Sequence, residues 1–402
     1  MTRQGGRVTV RAMPPGRIAV KNTLMVAALV LLVVVGVRAQ QRGAPPPQAP
    51  PQTAPDIPFD AQDVIKMPEN LYIGEASGVA LNSKKHIFIY TRTGADDGST
   101  VLEPRMARLF EFNPDGTFLK ELARNLYSKA WAHAVRVDKE DNIWLVDNGS
   151  DEIVKLSPDY KVKLILGRRN EAVGERTRRA GMNPGQPVPP PRPGYFFEPT
   201  DVAWDAQGNI FISDGYQNST VHKFDKDGNI VKEIGTKRGG GPGEFSTPHG
   251  IAVDNQGNVY VADRSNNRIQ VLDNNLNYLR EIRYDPALRL AADWVSPIPD
   301  FGKRSDGRYN TLWPNTLCIT PGQTQYIYVN SMFPGEVQKF TLEGKLVGQF
   351  GTAGRKIGQL GWVHAISCVS ENEIWTGELL NWRVQKFTLH PERMTRSTSG
   401  RQ

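Results

Sequence analysis

The sequence predicts an all-β fold, a six-bladed β-propeller with four-stranded blades. Three observations carry that prediction. First, a long phrase recurs: "EPTDVAWDAQGNIFISDGYQNSTVHKF" at Glu198–Phe224 returns as "TPHGIAVDNQGNVYVADRSNNRIQVLD" at Thr247–Asp273, 49 residues later. Second, its kernel occurs six times, clearly as "DNIWLVD", "GNIFISD" and "GNVYVAD", and more loosely as "KHIFIYT", "QYIYVNS" and "NEIWTGE". Third, each unit holds about four short runs of alternating apolar and polar residues, broken by Gly-Asn and Asp turn signals. Four-stranded units repeated without linkers close radially and leave only short exposed edges.

The units start near Ser77, His133, Thr200, His249, Asn315 and His364. The last ends after its third run, "RVQKFTL" at Arg383–Leu389, so its outer strand must come from elsewhere. The segment Ala61–Lys66 is expected to supply it and close the ring. The propeller is expected over residues 57–390, with a polar, disordered tail at 391–402.

Residues 1–39 read as a signal peptide. Basic residues precede a 14-residue apolar run, Leu24–Val37, and Val37–Ala39 offers small residues for cleavage. As a helix that run rises about 21 Å, short of the roughly 30 Å bilayer core. Export without stable membrane insertion is expected, with an uncleaved anchor as the alternative. Residues 40–56 form a Pro-rich linker. The net charge of +7 comes from seven Lys and Arg in residues 1–55, where there is no acid. The remainder is neutral, with 42 basic side chains against 42 acidic. A neutral body gives nucleic acid no reason to bind. Two cysteines, Cys318 and Cys368, provide no disulfide framework and are expected as separate buried thiols, a single bridge being the alternative.

The two quoted copies keep their frame but differ where Thr200 answers His249. The six start positions run Ser, His, Thr, His, Asn, His. Three of the chain's six histidines therefore fall on alternate units, 116 and 115 residues apart. Alternate blades of a six-bladed ring are related by three-fold rotation, so His133, His249 and His364 should converge on the axis. One such His alone would be only a repeat residue. Three converging neutral imidazoles suit a borderline-soft cation such as zinc, and three protein ligands leave a coordination position open. Thr200 differs because its blade lies between ligand blades.

Strand direction puts the loops after "SD" and "AD" on the histidine face. That face should gather Arg92, Tyr216 and Arg264, together with longer insertions at Arg168–Phe197, Thr236–Thr247 and Pro286–Leu312. Two guanidiniums beside a metal suit a carboxylate-bearing substrate, either a small molecule or a peptide. Asp214 and Asp263 read as structural turn residues.

The units resemble NHL repeats. The set "FEPTDVAWD…SDGYQNS", "TPHGIAVD…ADRSNNRIQ" and "WAHAVRVD…NIWLVD" also resembles the peptidyl-α-hydroxyglycine α-amidating lyases, over roughly Leu71–Leu389. The resemblance implies zinc on His133, His249 and His364, a catalytic Tyr216, and active-site Arg92 and Arg264. It implies cleavage of a carbinolamide C–N bond to give an amide and glyoxylate. This chain departs from the family's Met-Pro-His-Asp run with Trp362-Val363-His364-Ala365. The family's structural calcium uses that Asp, so Ala365 counts against calcium. Gln217 replaces a family cysteine, which removes a disulfide. This stretch carries no copper monooxygenase domain, which widens the expected substrate beyond amidated-peptide precursors. Two alternatives stay open: a non-catalytic NHL propeller that binds protein or glycan partners, and another propeller enzyme such as a lactonase.

Overall fold

The computed structural model describes residues 52–93, 106–168, 194–287, 289–292, 313–333 and 335–394. The expected signal peptide, most of the linker, and the larger parts of two of the three insertions lie outside these residues. Six four-stranded antiparallel sheets form the blades of a propeller. Their inner strands are Glu75–Leu81, Ala132–Val137, Asp201–Trp204, Pro248–Val253, Pro314–Ile319 and Val363–Cys368, numbered here as blades 1 to 6. Each inner strand contacts the inner strands of the blades beside it.

Both faces of a blade are covered by neighbours, and the sequence meets that demand with Val, Ile, Phe and Tyr at alternate positions. Six buried apolar clusters result, one at each interface between blades. Between blades 2 and 3, for example, Trp144 and Val146 pack against Val202, Ile210 and Ile212. The hairpin turns are set by Asp. Asp205 Oδ1 accepts the backbone N–H groups of Gln207 and Asn209, and Asp254 does the same for Gln256 and Asn258. Gly208 and Gly257 sit at φ 86° and 85°, a region open to Gly at no steric cost.

The ring closes through the N-terminal strand. Phe59–Asp63 pairs antiparallel with Arg383–Leu389, from Phe59 against Leu389 to Asp63 against Gln385. The strand begins two residues before the expected Ala61. Phe59 is the reason: its ring packs 5.3 Å from Phe387 and 5.8 Å from Phe350. Val64 and Ile65 then cross to the apolar cluster between blades 6 and 1, and Lys66 bridges Thr117 at the outer edge of blade 1. Residues 52–56, the end of the expected linker, lie along blades 4 and 5. Gln52 N–H donates to Asp285 O at 2.7 Å, and Asp56 meets Arg289 at 2.7 Å.

The cysteines are a correction. Cys318 and Cys368 form a disulfide rather than two separate thiols. They stand on the inner strands of blades 5 and 6, with Cα atoms 5.7 Å apart. Their sequence separation of 50 residues hides the fact that adjacent blades bring equivalent strand positions face to face. No helix among the described residues is long and apolar enough to cross a membrane.

Candidate metal centre and active site

Five of the six inner strands open with an irregularity, the strand of blade 3 being regular. Ladder pairing skips Ser77, His133 and His364, and in blades 4 and 5 it shifts across the stretches holding His249 and Asn315. A bulge bends the strand and re-aims the side chain it carries. Here it turns His133, His249 and His364 toward the axis. Their ring centroids lie 4.6–5.3 Å apart, and one nitrogen from each falls within 4.8 Å of the others. All three are buried.

The positions between the histidines are occupied by groups that hold them. His133 Nδ1–H donates to Thr200 O at 2.5 Å, and His364 Nδ1–H donates to Ser77 O at 2.9 Å. The Asn315 carbonyl takes the corresponding bond from His249. Thr200 Oγ1 in turn donates to Pro248 O at 3.0 Å, and Asn315 Nδ2 donates to Val363 O at 2.9 Å. Hydrogen bonds thus run along the tunnel wall from His133 to Ser77, alternating imidazole and small polar residue; at Ser77 the run ends, its Oγ donating to Tyr90 O of the same blade. Their effect is to fix the tautomer. With Nδ1 protonated, Nε2 keeps its lone pair, and a backbone carbonyl on the far nitrogen is the usual partner of a ligating histidine. Sequence reasoning gave Ser77, Thr200 and Asn315 no role. Their shared character as small hydrogen-bonding residues was the available signal.

The imidazoles are held neutral. Burial lowers all three pKa values, aided by repulsion: His364 and His249 act on His133, and Arg264 and His364 act on His249. His364 is pushed down to about 3, by burial and then by Arg92. His364 Nε2 is buried with no hydrogen-bond partner. A buried lone pair without a donor, beside two more neutral imidazoles, fits a soft or borderline cation.

Tyr216, from the loop after the second strand of blade 3, reaches this cluster. Its hydroxyl lies 3.1 Å from His249 Nε2 and 3.3 Å from His133 Nε2. Arg264 Nη1 donates to the same oxygen at 3.4 Å, and its guanidinium also lies over the Trp313 ring at 5.3 Å. Arg92 sits across from them. Its Nε donates to Ala132 O at 2.8 Å, its Nη1 meets Glu75 at 3.3 Å, and it lies 4.8 Å over the Trp131 ring. Burial lowers the Arg92 pKa against the pull of Tyr216 and Glu75. Its very high ordinary value keeps it a cation. The structure therefore brings the six expected site residues to one end of the tunnel. Asp214 and Asp263 are buried and bind loop backbone, at Phe197 N and Ser246 N, as turn residues should.

A second polar level, unforeseen from the sequence, lies below. Arg136 and Asp201 form a bidentate pair, with Nε to Oδ1 at 2.9 Å and Nη2 to Oδ2 at 2.5 Å. Arg136 also donates to Ile366 O at 2.8 Å and Thr316 Oγ1 at 3.3 Å, so the contacts join blades 2, 3, 5 and 6. The six residues next after the ring positions are Gly78, Ala134, Asp201, Gly250, Thr316 and Ala365, and all but Gly250 line the axial cavity. A Cβ on Gly250 would meet the backbone of blade 5 at 2.7 Å, so the axis is tight there. Asp201 is the single carboxylate of that ring, and Arg136 already occupies both its oxygens. Calcium takes six to eight oxygen ligands. This level does not suit it.

The NHL repeat family matches residues 245–272, the copy containing His249 and Arg264. The chain is a six-bladed propeller that carries an NHL repeat, and it is similar to the peptidyl-α-hydroxyglycine α-amidating lyases. It is 30% identical over 181 residues to the probable peptidyl-α-hydroxyglycine α-amidating lyase pgal-1 of Caenorhabditis elegans, covering 40% of this chain and 44% of that one. It is 29% identical over 222 residues to the peptidylglycine α-amidating monooxygenase of Rattus norvegicus, covering 48% of this chain and 20% of the other. The chain thus spans less than half the length of these curated relatives. In fold it is similar to the virginiamycin B lyase of Staphylococcus aureus, with a TM-score of 0.50 at 12% identity, covering 83% of this chain and all of that one. At that identity the likeness concerns the fold alone.

Proposed function

We propose that this chain is an exported, zinc-dependent lyase that cleaves the C–N bond of α-hydroxyglycine-type carbinolamides to give an amide and glyoxylate. The observation that carries the reading is the position of the Tyr216 hydroxyl, 3.1 and 3.3 Å from two imidazole nitrogens and 3.4 Å from Arg264. A proton acceptor placed against a metal site and a guanidinium is what removal of an α-hydroxyl proton requires. His133, His249 and His364 would hold zinc. When bound, it supplies Lewis acidity at the substrate's oxygens.

The remaining chemistry belongs to the side chains. Arg92 and Arg264 pair with the substrate carboxylate and hold the carbinol carbon before Tyr216. Tyr216, as general base, takes the hydroxyl proton. The oxygen's electron pair forms the new C=O bond, and the C–N bond breaks with its electrons going to nitrogen. That nitrogen accepts the proton back from Tyr216 and leaves as a primary amide. Atoms and protons balance without water, so the reaction is an elimination. Arg264 places positive charge where negative charge forms on oxygen.

The test is glyoxylate release from an N-acyl-α-hydroxyglycine by purified protein, before chelation, after it, and after zinc is returned. Activity should vanish with the metal and come back with zinc. No glyoxylate from zinc-replete protein would sink the proposal. Replacing any one ligand, as in His249→Ala, should weaken metal retention more than the roughly 10–100-fold typical of outer-shell changes. The fold should survive on its six apolar clusters.

A further inference from the structure

The mouth of the tunnel has an aromatic character that the chemistry above does not use. In blades 2, 4, 5 and 6 the residue two positions before the ring residue has its carbonyl pinned in the same way. Trp131 O accepts Asn148 N–H, Thr247 O accepts Arg264 N–H, Trp313 O accepts Met332 N–H, and Trp362 O accepts Leu379 N–H, all at 2.9–3.2 Å. Three of these four positions are Trp, in blades 2, 5 and 6. Each ring is only partly buried. Trp131 and Trp313 each carry a guanidinium, Arg92 and Arg264 respectively. Trp362 packs against the buried Phe333, with centroids 6.5 Å apart, and precedes His364 by two residues. Around the rim the sequence of groups is Arg92, Trp131, Tyr216, Arg264, Trp313 and Trp362, one from each blade.

We infer that Trp131, Trp313 and Trp362 are specificity-determining residues that select substrates whose acyl group is flat and apolar, such as an aroyl or arylacyl group. The inference rests on the lyase reading for the orientation of the substrate. Its carboxylate is drawn to the two arginines and its hydroxyl-bearing carbon to Tyr216. The acyl group, on the far side of the C–N bond, then extends along the rim. Aromatic faces there reward a planar ring by area burial and by offset or edge contact, about 2- to 10-fold in affinity beyond area alone. A methyl group in the same place gains little.

Binding can be measured without turnover, using N-acylglycines that lack the α-hydroxyl. Benzoylglycine should bind the zinc-loaded protein at least about tenfold more tightly than acetylglycine, by calorimetry and by quenching of Trp fluorescence. Trp362→Ala, which leaves the Arg92–Trp131 and Arg264–Trp313 contacts in place, should erase most of that preference and leave acetylglycine unchanged. Trp362→Phe should retain much of it. In the lyase assay, Trp362→Ala should raise KM for benzoyl-α-hydroxyglycine with kcat nearly constant. Equal binding of the two acylglycines, no binding of benzoylglycine, or an equal loss for both in Trp362→Ala would overturn the inference. The last outcome would mean that the tryptophans only support the rim. Failure of the lyase reading looks different: no glyoxylate from any substrate, whatever the binding preference.

Discussion

Two polar levels share the tunnel axis and treat charge in opposite ways. At the loop-bearing end, blades 2, 4 and 6 present imidazoles kept neutral by burial, with backbone carbonyls on their far nitrogens. Three residues further along blade 2, about 10 Å of strand at most, Arg136 and Asp201 close the axis with a paired cation and anion. Burial alone would lower the Arg136 pKa, but Asp201 raises it above the ordinary value. The upper level is pre-organised with lone pairs turned inward. The lower level is complete without any added group. The difference teaches that one repeat position can be polar for binding and the next polar for closure. Three-fold symmetry separates them: a three-fold set of ligands converges on a point, whereas a single acid–base pair must break the symmetry and brace across it.

Experiments can break that contrast. The largest expected effect is on chemistry at the upper level. Tyr216→Phe should keep metal and fold but lose about 10²–10⁴-fold in glyoxylate release, the usual contribution of a positioned acid–base group. Unchanged turnover would remove Tyr216 from the proton transfer. At the lower level the effect should fall on stability instead. Arg136→Met leaves Asp201 buried and unpaired and should cost about 3–5 kcal/mol by denaturant titration. The double change Arg136→Met with Asp201→Leu should recover much of that loss, with zinc affinity little altered throughout. If Arg136→Met empties the metal site and leaves stability intact, the division of labour is wrong.

A smaller effect is expected beyond both levels, where Cys318–Cys368 ties the inner strands of blades 5 and 6. Cys318→Ala should cost about 2–4 kcal/mol, with metal retention unchanged. The smallest effect is that of pH on the chelated protein. Its three imidazoles titrate below the ordinary histidine value, His364 at about 3, so the unfolded chain takes up protons first as pH falls. Stability is then lost from about pH 6.5 downward, by under about 1 kcal/mol per imidazole between pH 7 and 6. A melting temperature that rises on acidification through this range would contradict the neutral cluster. Zinc should steepen the loss, because protons compete with the metal for the same nitrogens.

Much of this was written in the sequence. Alternation with period two, the Asp and Gly-Asn turns, and six copies of one phrase determine the blades, because each of these signals is local and repeats. The histidine ring was legible for the same reason: a repeat places equivalent positions at equivalent radius, so parity in the alignment becomes symmetry about the axis. Tyr216, Arg92 and Arg264 followed from strand direction and from resemblance. What the sequence could not express was contact between residues with no common register. Arg136 reaches Asp201 across 65 positions and Ile366 across 230. Cys318 meets Cys368 only because adjacent blades align their inner strands. The carbonyls of Ser77, Thr200 and Asn315 belong to the backbone, and no side-chain pattern announces them. Their role depends on the bulges that turn each histidine sideways onto the next blade. Only the closed ring decides these contacts, since curvature brings six distant strand starts within hydrogen-bonding distance at the axis.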